Sequence, residues 1–231
     1  WWTVVVLGAA VLAHAAFSLA ELTPQAWLQV SVGMAIAMLA GIFPVRIPHS
    51  KNSFAAGEIF IFLLLLIHGP AAASVAAAGE AFVGSYRTSR RWTSRIVSPA
   101  MAALSMSGAG GLLQLLQART DLAAPGAAGL LVLAAMGTAL LYFVGNTLLV
   151  SAVPRLKAGQ RIQPSDLFGL FGWVGVAYAG SAAVAALLFL TYRQSGIGVL
   201  MAVVPVLGML LATLHYFFRQ QEAAEAVRRS G

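Results

Sequence analysis

The sequence predicts an all-α, polytopic transmembrane helix bundle of about eight membrane segments, on three observations. Of its 231 residues, 60% are hydrophobic and only 9% are charged, whereas an ordinary soluble domain has roughly 45–50% apolar and about 25% charged residues. Mean hydropathy is +0.85, and apolar runs recur from Trp1 to Phe218. That is more apolar surface than a water-soluble globule of this size hides, so the solvent is lipid. The basic residues fall in short gaps between the runs, where they orient helices in a bilayer.

Charged clusters, Pro and Gly divide the chain into segments 1–20, 25–45, 54–68, 71–85, 97–117, 127–153, 168–192 and 197–218. The first lacks the basic start and cleavage site of a signal peptide and is read as a span. The second carries Gly33, Ala37 and Gly41 four apart, and the fourth carries Ala73, Ala77, Ala81 and Ser85 in the same register. Such smooth stripes admit a neighbouring backbone, so these two helices are expected at the centre. Segments three and four, read as ~15 residues each, reach only ~22 Å of a ~30 Å core. They form a hairpin turned at Gly69-Pro70, either packed inside the bundle or thinning the bilayer. The seventh segment is thinned by Gly169, Gly172, Gly175 and Gly180.

After Phe218 the run RQQEAAEAVRR is made of strong helix formers, with Glu225 and Arg229 at the favourable i,i+4 spacing. The last helix is therefore expected to leave the membrane unbroken. The domains are a bundle over 1–218 and the start of a cytoplasmic linker helix over 219–231, ahead of something longer. Ala223, Ala226 and Val227 form a small apolar face that suits a homodimer.

Sidedness follows from Lys and Arg. One set of loops carries Arg46 and Lys51, then Arg87, Arg90, Arg91 and Arg95, then Arg155, Lys157 and Arg161, with Arg219, Arg228 and Arg229 in the tail. The other set holds Arg119 and Arg193 alone. A bias of twelve to two puts both termini in the cytoplasm, with Arg87, Arg90, Arg91 and Arg95 forming a cytoplasmic basic loop. This placement accounts for the charge of +7 through partnership with lipid and leaves nucleic acid a poor reading.

The chain has no cysteine, which excludes disulfides, thiolate metal sites and a cysteine nucleophile. His14, His49, His68 and His215 give no pair at one depth for a haem, and no H-x-x-x-H or phosphate-cradling motif is present. No enzyme activity, metal or cofactor is expected.

Intramembrane ionisable groups are functional candidates by default, and Glu58 and Glu80 are two. A hairpin closed at Gly69-Pro70 sets them at nearly equal depth, within the echoing strings GEIF and GEAF. Two carboxylates at one level can share a proton, bind a cation or receive the amine of a ligand. The alternative is that each snorkels to Arg87, Lys51 or Arg46. Tyr142, Asn146 and Thr147, with Tyr178, Ser181 and Gln114, add polar groups that either cross-link helices or line a small-ligand cavity. The candidate ligand-binding residues are Glu58, Glu80, Tyr142, Asn146 and Tyr178.

The stretch from Phe43 to Pro99 carries a more specific pattern: an FPVRIP lead, Glu58 before an F-I-F run, an H-G-P turn, Glu80 before Ala-Phe, and a basic loop ending in R-R-W. It resembles the N-terminal multi-pass sensor regions found ahead of GGDEF, EAL or HD-GYP output domains in bacterial cyclic-di-GMP signalling proteins. The resemblance covers about a quarter of the chain closely and the rest in topology only. It implies a signal-input module of the bacterial inner membrane that passes a ligand or membrane signal through its last helix. Cyclase and phosphodiesterase activity belong to output domains and do not carry over. The region is also similar in outline to substrate-binding membrane subunits of energy-coupling-factor transporters, which implies a vitamin-sized ligand. A scaffold subunit of a membrane complex is the third alternative.

Overall fold

The structure, a computed structural model, describes residues 1–42, 45–46, 53–54, 57–122, 124–161 and 173–230. Among these the fold is an all-helical bundle. Its helices are α1 (Trp2–Ala20), α2 (Pro24–Ile42), α3 (Glu58–His68), α4 (Pro70–Thr88), α5 (Trp92–Arg119), α6 (Ala128–Lys157), α7 (Trp173–Ser195) and α8 (Ile197–Ser230). Between α2 and α3 runs a two-residue antiparallel ladder of β1 (Val45–Arg46) and β2 (Ser53–Phe54), with Val45 opposite Phe54 and Arg46 opposite Ser53. Within the segment read as a loop, His49 and Lys51 lie outside the described residues, as do Gly169 and Gly172 at the start of segment seven.

Six helices, α1, α2, α5, α6, α7 and α8, are long and apolar enough to cross a membrane. Their outward faces are studded with exposed large apolar residues, among them Phe17, Leu28, Leu133, Leu187 and Met201. A surface of that kind requires lipid around it. The chain is a multi-pass membrane protein.

The 54–85 hairpin differs from its sequence reading because its arms are unequal. It turns at Gly69, whose φ of +89° favours glycine, and Pro70 occupies the first helical position of α4, where a missing N–H costs nothing. Helix α3 has 11 residues and α4 has 19, so they extend roughly 16 and 28 Å. The polar run Ser85 to Thr88 looked like the end of segment four. It stays helical to Thr88, and from it Arg87 Nη1 reaches across to the carbonyl oxygens of Gly41 and Ile42, capping the C-terminus of α2.

Helix α3 is the true centre. Every residue from Glu58 to Leu66 is buried, enclosed by α2, α4 and α7. Helix α4 is central as the alanine stripe predicted, with Ala73 and Ala77 buried. Helix α2, expected beside it, presents only one face inward, through Val30, Ala37 and Gly41. The stripe on α2 still admits a close neighbour, since a β-carbon on Gly33 would meet Leu64 Cδ2 at 2.8 Å. An approach of the same kind joins α1 to α5, where a β-carbon on Gly8 would stand 2.5 Å from Ala100 Cβ and 2.7 Å from its Cα.

Helix α5 begins at Trp92 and α6 runs to Lys157, both longer than the apolar runs that identified them. Helix ends pair consistently across the bundle. Lys157 at the end of α6 sits over the Trp1 ring at 5.9 Å, and Gln29 near the start of α2 hydrogen-bonds His68 at the end of α3, 3.0 Å apart. Helix α8 continues without interruption through the former membrane boundary at Phe218 to Ser230. The Glu225–Arg229 pairing involves an Arg229 side chain outside the described residues.

Candidate functional site

Glu58 opens α3 and Glu80 lies past the middle of α4, so the Gly69-Pro70 turn folds one against the other as their positions predicted. They are 4% and 7% exposed. The approach depends on glycines. A β-carbon on Gly57, the residue before Glu58, would lie 2.8 Å from Glu80 Oε1 and 2.7 Å from the carbonyl oxygen of Ala37. A β-carbon on Gly41 would lie 3.3 Å from Glu80 Cγ. Bare backbone on α2 and before α3 thus forms the slot that receives the Glu80 side chain.

Two tyrosines from the opposite side complete the cluster. The Tyr178 hydroxyl of α7 donates to the Glu58 carboxyl group, and Tyr142 of α6 lies within electrostatic reach of both glutamates. The tyrosine rings are 5.9 Å apart, with Phe62 edge-on to Tyr142 at 6.2 Å and Phe143 against Tyr178 at 5.1 Å. Glu58, Glu80, Tyr142 and Tyr178 therefore form one buried polar cluster in an aromatic and aliphatic wall.

The cluster's hydrogen bonding is incomplete. Oε2 of Glu58 and Oε1 of Glu80 are buried without a partner, as is Oδ1 of Asn146, one helical turn beyond Tyr142. Ser105 Oγ of α5 is also unpartnered and faces Gly145, whose β-carbon would stand 3.5 Å away. Ser105 was not singled out from sequence, and of the glycine slot only Gly41 was, as part of a close-packing stripe. A serine in an apolar helix carries little signal, and a glycine's role depends on what approaches it. Of the other polar candidates, Ser181 bonds back to Ala177 within its own helix and Gln114 faces outward.

The basic loop divides in two. Arg87 caps α2, and Arg95 donates to the Ser89 carbonyl at 3.1 Å while covering the Tyr86 ring at 4.1 Å. Arg90 and Arg91 have exposed side chains. Snorkelling of the glutamates to Arg87 is not what forms, because its guanidinium is engaged by carbonyls. Lys51 and the side chain of Arg46 lie outside the described residues.

On the side toward α8, α3 lines two apolar crevices of about 450 and 470 Å³, which meet at Phe60. The first is closed by Leu64 and Ile67 against Leu200 and Val204, and the second runs toward His215 and Tyr216. No protein-family model matches the chain, and no curated protein or solved structure is detectably similar to it.

Proposed function

We propose that this chain is a membrane-embedded input module, in which the state of the buried glutamate cluster passes through α3 to α8 and along α8 to a cytoplasmic output domain. The observation that carries the reading is the double role of α3. Its first residue, Glu58, belongs to the polar cluster, and within one turn Phe60 lies under α8. A change at the cluster reaches the wall of the crevices that part α3 from α8.

Helix α8 suits a relay. Its 34 residues extend roughly 51 Å, beyond a ~30 Å hydrocarbon core. Pro205 and Gly208 lie in its spanning part, and no Gly or Pro follows Gly208 within it, so motion of the stretch from Met209 onward is not absorbed by a hinge. The resemblance of Phe43 to Pro99 to sensor regions of cyclic-di-GMP signalling proteins supports the same placement in a bacterial inner membrane. The Lys and Arg bias supports cytoplasmic termini, and the Ala223, Ala226 and Val227 face supports pairing with a second copy.

The reading is tested by fusing a dimer-dependent output domain after Gly231 and inserting two glycines between Ala223 and Ala224. Loss of signalling is expected. Unchanged signalling excludes a helical relay and favours a transporter-type binding subunit or a scaffold. Single cysteines at Thr93 and Pro125, exposed to an impermeant reagent in intact cells, test sidedness: labelling is expected at Pro125 and not at Thr93.

A further inference from the structure

We propose that Glu58 and Glu80 bind one proton between them, making the centre of the bundle a proton site. The inference rests on reading this cluster as the input site and names its ligand. Two adjacent carboxylates removed from water are strongly unfavourable as a bare pair of anions. Here each also keeps one buried oxygen without a donor, Oε2 of Glu58 and Oε1 of Glu80. The single donor identified to the pair, the Tyr178 hydroxyl, is taken by the other oxygen of Glu58. One added proton removes one negative charge and converts one acceptor into the O–H donor that both orphan oxygens lack. No bond other than O–H forms or breaks.

The surrounding elements supply no competing cation among the described residues. Helix α1 has His14 on its exposed face, and α2 has no charged residue. On α3, His68 is at the opposite end, joined to Gln29. Arg87 of α4 is turned to the α2 carbonyls, and Arg95 of α5 to Ser89 and Tyr86. Arg119 lies at the far end of α5; helix α6 offers Tyr142 at the cluster, with Arg155 and Lys157 in its last turn and Lys157 over Trp1, while α7 offers Tyr178 at the cluster and Arg193 near Phe189 at its far end. His215 of α8 borders the second crevice.

Beside Gly57 the slot is filled by protein: Ala37 O and Glu80 Oε1 stand 2.7 and 2.8 Å from the β-carbon position. A metal ion needs several oxygen ligands at its own coordination distances.

Infrared difference spectroscopy on the purified full chain, stepped in pH at constant sodium, tests the proposal. The expected result is a deuterium-sensitive carboxylic C=O band that titrates, moves its midpoint in Glu58→Gln and in Glu80→Gln, and is lost in the double variant, while sodium titration at fixed pH leaves it unchanged. Tyr178→Phe retains both carboxyl groups and guards against misfolded Gln variants; it should keep the band and move its midpoint. No titrating band in the wild type, a midpoint unmoved in either Gln variant, a band retained in the double variant, a band displaced by sodium, or an unmoved midpoint in Tyr178→Phe would overturn the site. The measurement reads protonation and not output, so its failure leaves the α8 relay to its own test.

Discussion

A β-carbon on Gly57 would lie 2.8 Å from Oε1 of Glu80, closer than real side chains approach. The same β-carbon would press on the Ala37 carbonyl at 2.7 Å, and that group belongs to the backbone of α2. Gly57→Ala therefore has to move a helix or expel the Glu80 carboxyl group. The expected cost is about 1–3 kcal/mol, typical of overpacking, read as a lowered midpoint of thermal unfolding in detergent. Full wild-type stability would show that the slot is looser than its geometry.

Phe62 is 1% exposed and meets Tyr142 edge-on. Phe62→Ala opens a cavity beneath the polar cluster and should cost about 3–5 kcal/mol. Phe62→Leu keeps most of the volume and should cost less than half as much. The comparison of their unfolding midpoints checks whether packing at α3 sets the stability of the bundle.

Arg87 caps α2 from a different helix, at Gly41 and Ile42. Its side chain is exposed, so the cap is screened by solvent, and Arg87→Ala should cost only about 0.3–1 kcal/mol. The local effect is larger than the global one. Amide exchange should accelerate in the last turn of α2 and stay unchanged in α3.

Gly8 and Ala100 bring α1 and α5 into backbone contact. Gly8→Ala should lower the unfolding midpoint, and adding Ala100→Gly should restore part of the loss. Restoration is incomplete because Ala100 Cα would still lie 2.7 Å from the new β-carbon. Additive losses in the double variant would show that the two helices do not meet there.

The spans were legible because lipid imposes a length and composition rule that each helix obeys locally. The pairing of Glu58 with Glu80 was legible for a similar reason: a hairpin closed at Gly69-Pro70 fixes depth by counting residues. Tyr142 and Tyr178 were visible only as polar groups in apolar runs, and their meeting at Glu58 depends on how α6 and α7 pack. The centrality of α3 was hidden because α2 and α4 carry the small-residue stripes, whereas the bulky leucines and phenylalanines of α3 look the same facing lipid or protein. Arg87 was counted toward membrane orientation, and nothing in its neighbours signalled that it closes another helix.

The contact between Gly8 and Ala100 has a consequence for biogenesis. Chains are synthesised at about 5–20 residues per second, so α1 emerges on the order of ten seconds before the α5 surface that fits it. Throughout that interval the bare face at Gly8 meets lipid or the insertion machinery. Docking of α1 on α5 must displace whatever occupies that face, so this contact forms after α1 itself has entered the membrane.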